Sequence, residues 1–86
     1  MTISGDCSLQ TLRGHYVIVY YDASGQHLLE VNESFALLFR RAEEGDFSPV
    51  SLSKVLEEHY GLPGEVAVEE ASKAIDLWTQ LQLTEH

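Results

Sequence analysis

Residues 15–36, which read HYVIVYYDASGQHLLEVNESFA, decide the fold of this chain. Residues 16–21 are all β-branched or aromatic, the residue types that β-strands favour. The turn-forming residues Asp22–Gly25 separate them from a second, largely apolar segment, residues 26–31. The pattern predicts an antiparallel hairpin with a four-residue loop.

The predicted register pairs Tyr21 with Gln26 and Tyr16 with Val31, and it gives the hairpin two faces because strand side chains alternate. One face collects Tyr16, Ile18, Tyr20, His27, Leu29 and Val31. The other face collects Val17, Val19, Tyr21, Gln26, Leu28 and Glu30. Both faces carry apolar side chains, so one of them is expected to form an exposed patch or to pair with a second copy in a homodimer. A weaker strand over residues 8–12 is expected before the hairpin.

Downstream of the hairpin the apolar residues recur at helical spacing, which predicts three helices. Helix 1 begins after Asn32, whose short side chain is a good N-cap, and it ends before Gly45. Helix 2 follows Pro49, with Ser51 as its predicted N-cap, and it ends at Gly61.

Helix 3 opens after residues 62–64 and carries a continuous apolar stripe. The stripe predicted to face the core consists of Ala67, Ala71, Ala74, Ile75, Trp78 and Leu81. The predicted fold class is α+β: a small antiparallel sheet of two or three strands followed by a three-helix, winged-helix-like bundle. The 86 residues are too few for a second domain, so residues 1–86 are expected to form one.

The acidic composition excludes several classes of function. Fourteen Asp and Glu stand against five Lys and Arg, which gives a formal charge of -9 and would repel a nucleic-acid backbone.

The longest apolar run, residues 16–21, is far too short to cross a membrane. Cys7 has no partner for an internal disulfide, and the first residues do not resemble a secretion signal, so a cytoplasmic location is expected.

No residue pattern predicts catalysis, a metal site or a cofactor. The four histidines, His15, His27, His59 and His86, lack the spacing of known metal ligands. The paired glutamates at 43–44, 57–58 and 69–70 point in different directions on a helix and are typical of a solvated surface. Cys7 has no visible activating base. The chain is therefore expected not to be an enzyme.

The predicted architecture instead favours peptide binding. An edge strand offers free amides and carbonyls to an extended peptide, and a helix beside it supplies side-chain pockets. The expected edge strand comprises Gln26, His27, Leu28, Leu29, Glu30 and Val31. The helix 3 residues expected to line the groove are Val66, Lys73, Leu77 and Leu81. The alternative is that the N-terminal segment or a second copy covers this edge.

Residues 29–36, LEVNESFA, resemble the PqqD-like family, named for the pyrroloquinoline quinone biosynthesis protein D, in which such a motif ends a strand and opens helix 1. The pair Tyr60-Gly61 resembles the end of the family's second helix, and residues 68–83 resemble its closing helix. The link at residues 45–50 is longer than the family's, and the glycine usual near the end is missing.

The resemblance implies a RiPP recognition element, which binds the leader of a ribosomally made precursor peptide. The leader would add as a strand to the sheet, here along residues 26–31, and would lie against the helix from residue 65 to residue 81. It also implies a partner, a modifying enzyme such as a radical SAM enzyme, to which the bound peptide is presented.

Two rival functions come from other classes. A winged-helix DNA-binding regulator would need a basic recognition helix, but the basic residues after the hairpin do not lie together on helix 3. They are Arg40, Arg41, Lys54 and Lys73. An orphan structural or dimerisation domain would bury its edge strand in a partner copy. An accessible edge beside an apolar groove distinguishes peptide binding from this second rival.

Overall fold

The computed structural model describes residues 1–85, and within them the order of elements confirms the α+β prediction. The strands are β1 (Thr2–Ile3), β2 (Ser8–Leu12), β3 (His15–Asp22), β4 (Gly25–Val31) and β5 (Thr84–Glu85). The helices are α1 (Glu33–Glu43), α2 (Pro49–Tyr60) and α3 (Gly64–Gln80). The predicted winged-helix-like arrangement, a small sheet followed by three helices, is therefore present.

The three-stranded sheet has the order β2-β3-β4, and all its pairs are antiparallel. The predicted register is confirmed, with Tyr21 opposite Gln26 and Tyr16 opposite Val31. The predicted strand over residues 8–12 is confirmed as β2. The predicted four-residue loop is wrong, because Asp22 pairs with Gly25 and leaves only two residues between them.

The core lies between the inner face of this sheet and the three helices. Its largest fully buried side chains are Trp78, Phe39, Ile18 and Leu52. Trp78 is central, since the rings of Phe35, Phe39 and Phe47 all meet it nearly at right angles, with ring centroids 5.5–5.7 Å away. Such edge-to-face contacts stabilise aromatic clusters beyond the apolar area that they bury.

The helix ends follow the chemistry of their cap residues. Asn32 caps α1 as predicted, and its side chain accepts a hydrogen bond from the Phe35 amide at 2.9 Å. The predicted cap of α2 is wrong: Ser48 caps it, and Ser51 completes a reciprocal capping box with Ser48. Pro49 occupies the first helical turn, where its missing amide has no cost.

The two ends of the described chain meet in a second, small sheet. β1 pairs antiparallel with β5, and the N-terminal amino group forms an ion pair with Asp46 in the α1–α2 loop. The Phe47 amide donates to the Met1 carbonyl at 2.8 Å. Cys7 follows β1, and it is buried in the core.

Cys7 provides a test of this packing through the pH dependence of stability. Burial, followed by the charges of Glu43, Asp6 and Glu85, raises the pKa of the thiol from 9.0 to about 11. Below pH 9 the thiol is protonated in both the folded and the unfolded chain. Between pH 9 and 11 it ionises only in the unfolded chain, so the free energy of unfolding should fall across this window.

Urea titrations at pH 8, 9, 10 and 11 measure this fall. The comparison is with Cys7→Val, which lacks the thiol and should lose less stability over the window. Equal pH slopes for the two proteins would contradict a buried, protonated Cys7.

Candidate functional site

β4 is an open edge of the three-stranded sheet. It pairs with β3 on one side, and within residues 1–85 no segment pairs with its other side. The N-terminal segment, which was one candidate to cover this edge, instead forms β1 and β2. One edge of β4 therefore presents backbone groups that the described chain does not use.

The turns at the two ends of β3 establish which backbone groups face this edge. Asp22 and Gly25 close a two-residue loop, and such a closing pair exchanges both of its backbone hydrogen bonds. From this closing pair, hydrogen-bonded and non-hydrogen-bonded pairs alternate along β3 and β4. The same count along β2 and β3, starting at the Arg13-Gly14 turn, is consistent with it, because it assigns the other backbone groups of β3 to β2. Three residues of β4 consequently turn their amide and carbonyl groups away from β3. They are Gln26, Leu28 and Glu30.

α3 runs beside β4 in the opposite direction. At one end, a cavity places Asn32, just after β4, together with Val66 in the first turn of α3. At the other end, a second cavity places Ser24, just before β4, together with Leu81 at the end of α3. Among the described residues, β3 is the one element with which β4 makes extensive backbone contact. The two cavities therefore bracket a strip bordered by the open edge of β4 and by α3, and we call this strip the β4–α3 groove.

The cavity beyond the end of β4 has a volume of about 430 Å³, within the range of roughly 300–1,000 Å³ that is usual for ligand pockets. We call it the end cavity. Its apolar wall is formed by Phe35, Leu38, Leu56, Leu62 and Val66. Its polar lining is formed by Asn32, Ser34, Tyr60 and Glu70. An apolar wall with a few polar groups suits a large apolar side chain.

The α3 residues predicted for the groove lie on one face of the helix. Val66, Lys73, Leu77 and Leu81 fall within a sector of about 80° when each residue advances by about 100°. Leu77 is half-buried and Val66 is exposed, yet neither belongs to the core cluster. Their apolar surface is therefore available to a bound molecule, whereas Leu81 packs partly against the core.

Lys73 lies on the same face, but its charge is already balanced. Its ammonium group is 3.4 Å from the carboxylate of Glu70 and 3.7 Å from that of Glu69. All three side chains are largely exposed, so each ion pair contributes little to stability. Lys73 can still contact a peptide through its aliphatic stem.

The β4 side chains alternate as predicted between the two faces of the sheet. Those directed toward the helices are half-buried: His27, Leu29 and Val31. Those directed away from them are exposed: Gln26, Leu28 and Glu30. Leu28 is 64% exposed, and the Glu30 carboxylate accepts a hydrogen bond from His15 Nδ1 at 2.8 Å. A strand added to β4 would present alternate side chains to the groove and to solvent.

A serine, a histidine and an aspartate meet at the tip of the hairpin. Asp22 Oδ1 lies 2.8 Å from His27 Nε2, and Ser24 Oγ lies 2.9 Å from the same nitrogen. The Ser24 hydroxyl also donates to Asp22, and these contacts lower the pKa of Asp22 to about 2. Nucleophilic catalysis needs the carboxylate and the hydroxyl on opposite nitrogens of the imidazole. This cluster therefore organises the turn, and it is not a catalytic triad.

Several residues of the end cavity were not predicted from the sequence. Those supplied by α1 and α2 are Ser34, Phe35, Leu38, Leu56 and Tyr60. Of these, Leu38 and Leu56 are buried. The signal that could have found the cavity is the pair Phe35 and Tyr60, which are aromatic and lie at helix ends, Phe35 in the first turn of α1 and Tyr60 as the last residue of α2.

The described part of the chain lacks two features that other classes of protein have. Among residues 1–85 there is no group of three or more His, Cys, Asp or Glu side chains placed to hold a metal ion. His86, one of the four histidines considered, lies outside the described residues. None of the helices in this part of the chain has the length and apolar character that a membrane span requires.

Two solved structures share this fold. TbiB1 in complex with the TbiA(beta) leader peptide matches with a TM-score of 0.80 and 14% sequence identity, covering 99% of this chain and 95% of that one. Lasso peptide synthetase B1, complexed with the leader peptide, matches with a TM-score of 0.71 and 19% identity, covering 91% of this chain and 88% of that one. No family model matches the sequence, and no curated protein matches it significantly. The likeness confirms the fold that the PqqD-like resemblance implied.

Proposed function

We propose that this protein binds the leader segment of a ribosomally made precursor peptide by adding it as a strand to β4. The observation that carries the proposal is the open edge of β4, which has a cavity near each of its ends. The backbone of β4 supplies affinity for any extended peptide, and the groove supplies side-chain specificity. The two proteins that share the fold were both solved with leader peptides bound, which supports this assignment.

In this proposal the protein acts without catalysing a reaction. It holds the leader in an extended form and presents the remainder of the precursor to a separate modifying enzyme in the cytoplasm. The hairpin-tip cluster lacks the geometry of a catalytic triad, and the buried Cys7 thiol is kept protonated at neutral pH, so neither offers a nucleophile. The β4–α3 groove is instead suited to binding an extended peptide.

Amide hydrogen exchange tests strand addition directly. The probe is a tight-binding peptide selected by this protein from a displayed library of random 14-residue peptides. Binding should slow exchange of the Leu28 and Glu30 amides, because a new strand would cover them. The matched controls are Leu9 and Thr11, whose amides face the open edge of β2 by the same alternation. Protection at β2 instead of β4, or failure to select any peptide, would contradict the proposal.

Leu77→Asp tests the helical wall of the groove. Leu77 contributes apolar surface that the protein's own core does not use, so an aspartate there should weaken binding of the selected peptide at least about tenfold, as expected for the loss of one buried apolar contact. The helical circular dichroism signal should be unchanged. Fluorescence anisotropy of the labelled peptide measures the affinity.

The matched control for this variant is Val68→Asp. Val68 is exposed and lies on the opposite side of α3, so the same charge is introduced on the same helix but away from the groove. Its affinity should match that of the unmodified protein. If Leu77→Asp binds equally well, the peptide does not lie along this face of α3.

A further inference from the structure

We propose that the end cavity selects peptides in which a large apolar side chain has a lysine or arginine within two positions of it. This inference rests on the proposed function and specifies which peptides the groove prefers. It arises from the position of the cavity, from its apolar wall and from the carboxylates at its rim.

The position of the cavity determines which part of a bound peptide reaches it. Asn32, which lines the cavity, directly follows Val31, the last residue of β4. A peptide paired with β4 that continues one or two residues past Val31 therefore passes over the opening. Its side chain on the helix-facing side enters the space between α1, α2 and α3.

The wall of the cavity requires that this side chain be large and apolar. Val66 and Tyr60 are each 42% exposed although they line an apolar space. Behind them, Leu38 and Leu56 form a buried floor. A small or polar side chain would leave this surface in contact with water, whereas a large apolar one would displace the water.

The rim of the cavity carries negative charge that residues 1–85 do not fully neutralise. The Glu70 carboxylate lines the cavity, and the Tyr60 hydroxyl donates to the Glu33 carboxylate at 3.4 Å. The nearby cation, Lys73, is shared between Glu70 and Glu69, which leaves this group of three with a net negative charge. The whole chain has a formal charge of -9.

A guest with a cation beside its apolar anchor would complement this rim, while an acidic neighbour would be repelled. The effect acts at a solvent-exposed rim, where a single ion pair is worth roughly a two- to fivefold change in affinity. It should also weaken as salt rises, because the screening length is about 8 Å at physiological ionic strength.

Selection from the same library of random 14-residue peptides, performed in parallel with three forms of the protein, tests the inference. The first is the unmodified chain. The second carries Glu33→Gln and Glu70→Gln at the rim. The third is the matched control, Glu44→Gln with Glu58→Gln, which changes the net charge equally at exposed positions that do not line the cavity.

The unmodified chain and the control should enrich Lys or Arg near a large apolar residue about two- to fivefold. The rim variant should keep the apolar preference and lose the basic one.

A second measurement uses the unmodified protein with one selected peptide. Replacing the peptide's basic residue with Gln should reduce affinity by a similar factor at low salt and have little effect at 1 M salt.

The outcomes distinguish a failure of this inference from a failure of the proposed function. If the unmodified chain shows no basic preference, or if the rim variant retains it in full, the inference is wrong while the proposed function stands. If all three forms select no peptide, or if selected peptides bind equally well after proline substitution in β4, the proposed function itself is wrong.

Discussion

Leu28→Pro is expected to abolish binding of the selected peptide while leaving the fold intact. The Leu28 amide faces the open edge of β4, so proline removes a donor to the guest without removing a hydrogen bond to β3. The proline ring also intrudes where the added strand would lie. The Leu28 side chain is 64% exposed, so its loss opens no cavity in the core.

The expected loss of affinity is at least about a hundredfold, since strand addition depends on consecutive backbone hydrogen bonds. Anisotropy titration measures it, and thermal unfolding establishes that the variant folds. The matched control is Thr11→Pro, which removes an outward-facing amide from β2, the other edge of the same sheet. Equal affinity for the Leu28→Pro variant and the unmodified protein would show that the peptide does not pair with β4.

Trp78→Ala is expected to cause the largest loss of stability of any single substitution in the core. The Trp78 side chain is fully buried and three phenylalanine rings pack against it. Replacing such a residue by alanine leaves a cavity and costs about 3–5 kcal/mol. Small domains have a total free energy of unfolding of only about 5–15 kcal/mol, so most of the stability is at risk.

Urea unfolding followed by far-ultraviolet circular dichroism measures this loss, since the chain has no other tryptophan for fluorescence. Trp78→Phe is the conservative control. The Trp78 Nε1 atom is buried without a hydrogen-bond partner, so phenylalanine removes no hydrogen bond and should cost distinctly less than alanine. A loss below about 1 kcal/mol for Trp78→Ala would contradict its central place in the core.

The hairpin register could be predicted because local chemistry determines it. Side chains alternate with a period of two, and the turn residues lie between two apolar segments, so a shift of one residue would place Ile18 and Leu29 on the wrong face. The Asn32 cap was predictable for a similar reason, because its side chain acts on an amide three residues away.

Two other features were missed because the local signals are ambiguous. Both Ser48 and Ser51 suit an N-cap, and only the structure shows that Pro49 fits the first turn between them. β1 and β5 have two residues each, too few to display any period, and they pair across nearly the whole chain.

The end cavity escaped sequence analysis for a different reason. Its lining comes from three helices, from Leu62 in the α2–α3 loop and from the residue after β4, so it exists only once these elements pack together. Helical periodicity identifies which face of one helix is apolar. It cannot distinguish an apolar residue that fills the core from one, such as Phe35, that also borders an opening.

The unpaired side of β4 also favours association between copies of this chain. A row of unused amides and carbonyls is a template for copies of the same chain, and acidic residues are one means by which proteins keep such copies apart. The sequence pI is about 4.6. Mild acidification toward that value removes the mutual repulsion, and the purified protein should then precipitate or form edge-to-edge assemblies at concentrations that remain clear at neutral pH.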